Sequence, residues 1–152
     1  MSAARALLFQ PQKAELLDAT LRDGSYAVDF QLAENFVIEL LGRLNETPIG
    51  KVEVGHGLGF EAERSGFKAC NIDLKHWCRI AQSELTATSW GMFAQPEFSR
   101  LSTLAELCDQ GMSFVRIGME PERVPDHLDY IERATAICGP RKPPSATFSA
   151  TR

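Results

Sequence analysis

The sequence has 152 residues, of which 44% are apolar and 24% charged, and it carries a net charge of −4. This length allows one domain with a core, and the composition is that of a folded protein rather than a disordered one. The acidic balance and the lack of any run of like charge exclude a typical nucleic-acid binder, which needs a basic face. No segment has the pattern of a signal peptide or a membrane span, so we expect a cytoplasmic protein that does not bind membranes.

Strand-like and helix-like segments alternate along the chain, as their apolar spacing shows. In chain order, the predicted elements are a strand over 15–21, a helix beginning at Asp29 or Gln31, a strand over 51–56, a Gly-rich loop over 57–71, a helix over 73–83, a strand over 85–93, a helix that begins near Pro96 and stops at Gly111, a strand over 113–119 and a helix over 121–137.

This order of four βα units predicts an α/β fold with parallel strands joined by right-handed crossovers. Such a chain forms either a small doubly wound sheet or half of a (β/α)8 barrel, since a complete barrel needs roughly 200 residues or more. After residue 138 the sequence turns rich in Pro, Ser and Thr. We therefore assign a lead-in over 1–13, a βα domain over 14–138 and an irregular tail over 139–152, which we interpret as the product of a truncation or frameshift.

Four cysteines are spread along the chain with no C-x-x-C pair among them. They are Cys70, Cys78, Cys108 and Cys138. In a cytoplasmic protein, this distribution favours reduced, mostly buried thiols over a metal or disulfide site.

Candidate functional residues follow the predicted strands, because loops after the carboxyl ends of parallel strands build the sites of such folds. Arg22 and Asp23 follow the first strand, and His56 ends the second. A carboxylate can hold Mg²⁺ or Mn²⁺, and an adjacent guanidinium can neutralise a developing enolate. From spacing alone, an ordinary surface turn explains Arg22 and Asp23 equally well. Arg116, inside the fourth strand, would point either inward to a carboxylate or outward to a surface partner.

Two segments resemble a known superfamily. D-A-T-L-R-D-G at residues 18–24 resembles the first-strand signature of the HMG-CoA lyase-like, or DRE-TIM, metal-dependent enzymes, and V-E-V-G-H-G at 52–57 resembles their second strand. Within that superfamily the chain is most similar to 4-hydroxy-2-oxovalerate aldolases and related pyruvate carboxyltransferase-type domains. The resemblance implies the N-terminal (βα)4 half of a TIM barrel that binds Mn²⁺ or Mg²⁺ and handles a small 2-oxo acid as its enolate.

The resemblance also implies roles for single residues. Asp23 matches the metal-ligand aspartate, and Arg22 matches the catalytic arginine that binds the substrate's oxo group and enolate. His56 is a further candidate from its position at the end of the second strand, where it would either face the site and bind substrate or hydrogen-bond a loop carbonyl. Tyr26 stands where the aldolases carry a histidine, and a phenol, with an ordinary pKa of about 10, is a poorer base near neutrality. We expect Tyr26 to orient a hydroxyl or to act as a weak acid.

The superfamily's remaining metal ligands form an H-x-H pair, and the three histidines of this sequence form no such pair. We therefore expect an incomplete metal site in the single chain. The leading function is an aldolase that cleaves 4-hydroxy-2-oxo acids, with an acetyl-CoA-dependent Claisen-type acyltransferase as the nearest variant. The alternative is a non-catalytic remnant, or a half-barrel that needs a partner. Because four βα units leave sheet edges and apolar surface exposed, we expect self-association or pairing with a second half-barrel chain.

Overall fold

The computed structural model describes residues 14–139, so the proposed lead-in and all but the first residue of the proposed tail lie outside the described residues. The strands are β1 (Leu17–Asp18), β2 (Lys51–Val54), β3 (Ser89–Ala94) and β4 (Phe114–Ile117). The α-helices are α1 (Thr20–Gly24), α2 (Glu34–Asn45), α3 (Leu74–Glu84), α4 (Leu101–Asp109) and α5 (Leu128–Cys138). Short 3-10 turns cover Ser25–Val28, Ala62–Ser65 and Pro121–His127.

The four strands form one parallel sheet in the order β1-β2-β3-β4. A doubly wound sheet would reverse its strand order at a switch point, whereas this order follows the chain from one edge to the other. The sequential order therefore selects the second of the two predicted architectures. The fold is a partial TIM-barrel-like (βα)4 unit.

The hydrophobic core lies between the sheet and the helices. Val52 and Val54 of β2 and Met92 of β3 are buried on the helix side of the sheet, where α2 to α5 cover them. The helices contribute one stripe each, as their spacing predicts, and its buried members are Val37, Leu41, Leu44, Trp77, Cys78, Ile80, Ala81, Leu104, Leu107, Cys108 and Ala134. Within residues 14–139, no helix is long and apolar enough to cross a bilayer.

The first strand is shorter than predicted. It covers Leu17–Asp18 instead of 15–21, because the Asp18 carboxylate accepts hydrogen bonds from the backbone N–H and the hydroxyl of Thr20, both at 3.0 Å. An aspartate that binds the backbone two residues on favours a turn over a strand. The segment after Asp18 is consequently the short helix α1, with Leu21 buried in the core. The motif around Arg22 thus sits on a helical turn and not at a strand end.

The second helix also starts later than predicted, at Glu34 rather than near residue 30. Asp29 and Phe30 have φ angles of 53° and 62°, which are left-handed conformations that a helix cannot contain. Such conformations are uncommon for a residue as bulky as phenylalanine and store strain. The strain falls in the connection that follows the Arg22 motif.

Alternate residues of the strands point away from the helices, and this second face is crowded at Gly91 of β3. A Cβ atom built on Gly91 would lie 2.3 Å from the carbonyl oxygen of Phe114 and 2.6 Å from its ring. Glycine at this position therefore lets β3 and β4 approach each other.

We expect Gly91→Ala to lower the free energy of unfolding by about 1–3 kcal/mol, because β4 must shift to admit the methyl group. Urea unfolding of the full chain measures this. Gly24→Ala is the matched control, since a Cβ at Gly24 meets no atom within 4 Å. Equal stability of the Gly91→Ala variant and the wild type would contradict the packing described here.

Candidate active site

A buried carboxylate joins two arginines on the face of the sheet opposite the helices. Glu53 of β2 is 0% exposed. Its Oε2 accepts from Arg22 Nε at 2.8 Å and from Arg116 Nη2 at 2.5 Å, and its Oε1 accepts from Arg116 Nε at 2.9 Å. Charge-assisted bonds of this kind compensate the desolvation of a buried carboxylate. Glu53 thus holds both guanidinium groups in one place.

Phe93 of β3 lies against both guanidinium groups. The Cζ atoms of Arg22 and Arg116 are each 5.0 Å from the centre of the Phe93 ring, which is a cation–π distance. A Cβ atom on Gly118 would lie 2.0 Å from Cζ of this ring. The glycine after β4 therefore makes the room that the Phe93 ring occupies.

The cluster carries two positive charges, on Arg22 and Arg116, and two negative charges, on the buried Glu53 and the exposed Asp23, whose Oδ1 lies 3.1 Å from Arg22 Nη1. The buried part of the cluster, without the exposed Asp23, has one positive charge in excess. The hydrogen bond to Glu53 raises the pKa of Arg116, although burial acts in the opposite direction, so this side chain is charged at any physiological pH. Among residues 14–139, Arg22 Nη2 and Arg116 Nη1 donate no hydrogen bond. The arrangement can therefore bind an anion.

Local contacts in the D-A-T-L-R-D-G segment aim Arg22 at Glu53. Leu21 enters the core, and the hydroxyl of Ser25 donates to the Arg22 carbonyl oxygen at 2.7 Å. The guanidinium reaches over β2, where Nη1 lies 3.4 Å from the carbonyl oxygen of Gly57. The side chain of Arg22 is 12% exposed, so the guanidinium is mostly withdrawn from solvent.

Asp23, the predicted metal ligand, lies beside Arg22. Its Oδ1 is 3.1 Å from Arg22 Nη1, and its side chain is 69% exposed. Within residues 14–139, no three His, Cys, Asp or Glu side chains come together in a way that could hold a metal ion. One exposed carboxylate does not make a catalytic metal centre, which takes several protein ligands. The described residues therefore do not fit a complete divalent-metal site.

Tyr26 and His56 border the same stretch of backbone that Arg22 reaches. The Tyr26 ring meets the Phe30 ring edge to face at 5.3 Å, and Phe30 stacks on the His56 imidazole at 4.0 Å. A Cβ atom on Gly57 would lie 2.8 Å from the Tyr26 ring. The strained turn at Phe30 therefore brings two predicted site residues together around Gly57.

Both ring nitrogens of His56 bind backbone atoms. Nδ1 accepts from the N–H of Leu58 at 3.1 Å, which leaves Nε2 as the donor to the carbonyl oxygen of Lys68 at 2.8 Å. This histidine is buried and fixes the loop after β2. Tyr26 is half exposed, with its ring edge beside Gly57. The roles assigned to both residues from the sequence stay predictions.

Glu61 ties the loop after β2 to the start of α4. Its carboxylate accepts from the Arg100 backbone N–H and from Nε, both at 2.8 Å, and from the Thr103 hydroxyl at 3.0 Å. Burial raises the pKa of Glu61, but the hydrogen bonds from Arg100 and Thr103 outweigh it, so the pKa lies below its ordinary value. The carboxylate is thus ionised at neutral pH and holds the loop after β2 against the start of α4.

An open groove of about 620 Å³ lies next to Phe93, at the carboxyl ends of β3 and β4. Its walls combine apolar and polar side chains, among them Phe67, Gln95, Phe98, Met119 and Arg123. The groove shares Phe93 with the arginine cluster, but neither Arg22 nor Arg116 lines it.

Sequence reasoning missed Glu53, although its position carried a signal. A carboxylate between two valines in an otherwise apolar strand faces the opposite side of the sheet from its neighbours. Arg116 occupies the equivalent place in F-V-R-I, and its inward alternative is the one observed. An acidic residue within one predicted strand and a basic residue within another, each between apolar residues, indicated an ion pair on the second face of the sheet.

Fold and site together define a partial TIM-barrel-like unit in which a buried glutamate holds two arginines. No family model matches the chain. It is 31% identical over 119 residues to an oxaloacetate decarboxylase of Mycobacterium tuberculosis, and this alignment covers 78% of this chain and 35% of the relative. It is 30% identical over 107 residues to 4-hydroxy-2-oxovalerate aldolase 2 of Salinispora arenicola, and this alignment covers 70% of this chain and 31% of the relative.

A solved structure supports the fold. The N-terminal domain of a candidate aldolase from Bacteroides vulgatus superposes with a TM-score of 0.66 at 18% identity, covering 82% of this chain and 42% of the other. The predicted resemblance is confirmed: over most of its length the chain is a homologue of DRE-TIM proteins named oxaloacetate decarboxylase and 4-hydroxy-2-oxovalerate aldolase. It spans about a third of the length of these curated relatives.

We expect Glu53→Ala to lower the free energy of unfolding by about 3–5 kcal/mol, because it removes the buried carboxylate that Arg22 and Arg116 share. Among the polar contacts within residues 14–139, it leaves Arg22 only those with the exposed Asp23 and the Gly57 carbonyl. Denaturant unfolding measures the change. Glu39→Ala removes an exposed ion pair with Arg43 and is the control, with an expected cost below about 0.5 kcal/mol. A Glu53→Ala variant as stable as Glu39→Ala would contradict the central role given to Glu53.

Proposed function

We propose that this chain supplies the arginine-bearing half of a carbon–carbon lyase that acts on a small 2-oxo acid through a pyruvate-type enolate. The observation that carries the proposal is the pair of guanidinium groups that Glu53 holds over Phe93. The relatives' names support it, since oxaloacetate and 4-hydroxy-2-oxovalerate are both 2-oxo acids.

Arg22 is the residue proposed to stabilise the enolate. Its guanidinium is mostly buried and already oriented, so it needs little rearrangement when negative charge develops on the substrate's 2-oxo oxygen. Preorganised donors in a site of low dielectric are the largest single contribution in many enzymes. Arg116, whose side chain is 43% exposed, has a donor left to bind the substrate's 1-carboxylate.

The two activities named among the relatives share this requirement. In both reactions the bond between C3 and C4 of the 2-oxo acid breaks, and its electron pair forms the enolate of pyruvate. The second product is carbon dioxide from oxaloacetate or an aldehyde from the 4-hydroxy acid. A proton then adds to C3 to give pyruvate. One anion site therefore serves either substrate class.

Tyr26 favours decarboxylation as a second candidate reaction. Aldol cleavage needs a base to remove the proton of the 4-hydroxyl group, and a phenol is a poor base near neutrality. Loss of carbon dioxide needs no such base, only stabilisation of the enolate. The relative with 31% identity is named as a decarboxylase, which agrees with this interpretation.

The metal expected from the resemblance remains part of the proposal. Asp23 is the candidate ligand, and further ligands have to come from outside residues 14–139, because the described residues do not hold a complete site. The open edges of β1 and β4 support a second half-barrel, from a copy of this chain or from another chain, as the source of the missing wall.

We expect the full chain, at high protein concentration and with Mn²⁺ present, to release pyruvate from oxaloacetate faster than from a 4-hydroxy-2-oxo acid. Arg22→Lys keeps the charge but loses the planar fork, so it should lower kcat by about 10²–10³-fold. Coupling pyruvate to lactate dehydrogenase measures the rate, after subtraction of the rate without protein.

Arg43→Lys is the matched control, because Arg43 is exposed on α2 and, among residues 14–139, its guanidinium binds Glu39 alone. Its rate should equal that of the wild type. No pyruvate release by the wild type would favour the non-catalytic alternative, and equal rates for Arg22→Lys and Arg43→Lys would remove Arg22 from the reaction.

A further inference from the structure

Two cysteines that are far apart in sequence meet between the last two helices. Cys108 lies in the last turn of α4 and Cys138 is the final residue of α5. Their Sγ atoms are 2.6 Å apart. A disulfide has an S–S bond of about 2.0 Å, so the two sulfur atoms need to move by little more than half an ångström to bond.

We propose that Cys108 and Cys138 form a reversible disulfide when the chain meets a peroxide, and that this bond ties α5 to α4. Cys138 is half exposed at the helix end, whereas Cys108 is buried. The peroxide therefore reaches Cys138 first, and Cys108 resolves the oxidised sulfur from within the core. This site is independent of the proposed lyase reaction.

The disulfide forms in two steps. The Cys138 sulfur attacks one peroxide oxygen, the O–O bond breaks, and water leaves, which gives a sulfenic acid. The Cys108 sulfur then attacks the Cys138 sulfur, and the hydroxyl group leaves as a second water. The two thiols lose two electrons, and hydrogen peroxide takes up those electrons together with the two thiol protons.

The tie would matter because α5 has few fully buried residues. Among the residues of α5, only Ala134 is fully buried. The Tyr130 hydroxyl donates to the Ser99 carbonyl oxygen at 2.8 Å and provides a polar link to the loop before α4. The loop that the disulfide closes contains β4 and Arg116, so oxidation would fix the edge strand that carries half of the arginine cluster.

The other two cysteines differ in ways that make them controls. Burial, together with the nearby Glu63, raises the pKa of the Cys70 thiol to about 11. Burial raises the pKa of the Cys78 thiol to about 11 as well. Neither forms much thiolate near neutral pH, and the thiolate is the form that reacts with a peroxide.

The test is to expose the full chain to hydrogen peroxide, alkylate the remaining thiols and map the peptides by mass spectrometry. We expect the number of free thiols to fall from four to two in the wild type. The cross-linked peptide should join Cys108 to Cys138, and dithiothreitol should restore all four thiols. The midpoint of thermal unfolding should rise by about 5–15 °C on oxidation.

The matched variants are Cys70→Ser, which should form the same disulfide, and Cys138→Ser, which should form none. Overoxidation of Cys138 without a link to Cys108, or a link between other cysteines, would overturn the proposal. The mapping of the wild type decides this even when a variant does not fold. An unchanged melting temperature in the cross-linked protein would overturn the proposed tie between the helices.

Discussion

The burial of Glu53 is the constraint on which the rest of this structure depends. A carboxylate withdrawn from solvent needs compensating charge, and it obtains this from Arg22 on α1 and Arg116 on β4. These contacts connect the beginning of the domain to its last strand across the sheet. They also keep two guanidinium groups close together despite their mutual repulsion, which an anion would relieve. One buried acid thereby links the stability of the fold to the positions of the two arginines.

The alternation of strands and helices could be predicted from the sequence, because parallel strands and helix stripes each leave a clear apolar period. The apolar pattern alone did not decide between a doubly wound sheet and a half-barrel, since strand order depends on contacts between distant segments. The resemblance of residues 18–24 and 52–57 to the DRE-TIM enzymes predicted the half-barrel, and the strand order confirms it. The short first strand also escaped prediction, as the Asp18 turn overrides the β-forming tendency of the residues around it. The motif identified Arg22 as a site residue. Glu53 was not identified, because it lies between two valines within a strand that otherwise reads as part of the core. The contact between Cys108 and Cys138 could not be predicted either, because only the packing of α4 on α5 brings the two residues together.

Among residues 14–139, the site contains oriented arginines but no complete set of metal ligands. The arginine cluster, Phe93 and the groove beside it belong to the described residues, while Asp23 is exposed and has no companions able to complete a metal site among residues 14–139. Within residues 14–139, β1 and β4 form the two edges of the sheet, and further strands can pair with them. Stabilisation of an enolate by the arginines and binding of a metal by further ligands can therefore be tested separately. Anion binding by the arginines can be measured on this chain without an activity measurement.

The most direct measurement is calorimetric titration of the full chain with oxalate, a planar dianion that resembles the enolate of pyruvate. We expect binding that weakens at least about tenfold in Arg22→Gln, since one charge-assisted contact contributes roughly 1.5–3 kcal/mol. Arg43→Gln, on the exposed face of α2, should bind as the wild type does. The same oxalate affinity in the wild type and in Arg22→Gln, or no binding by either, would contradict the assignment of the Glu53-held arginines as the anion site.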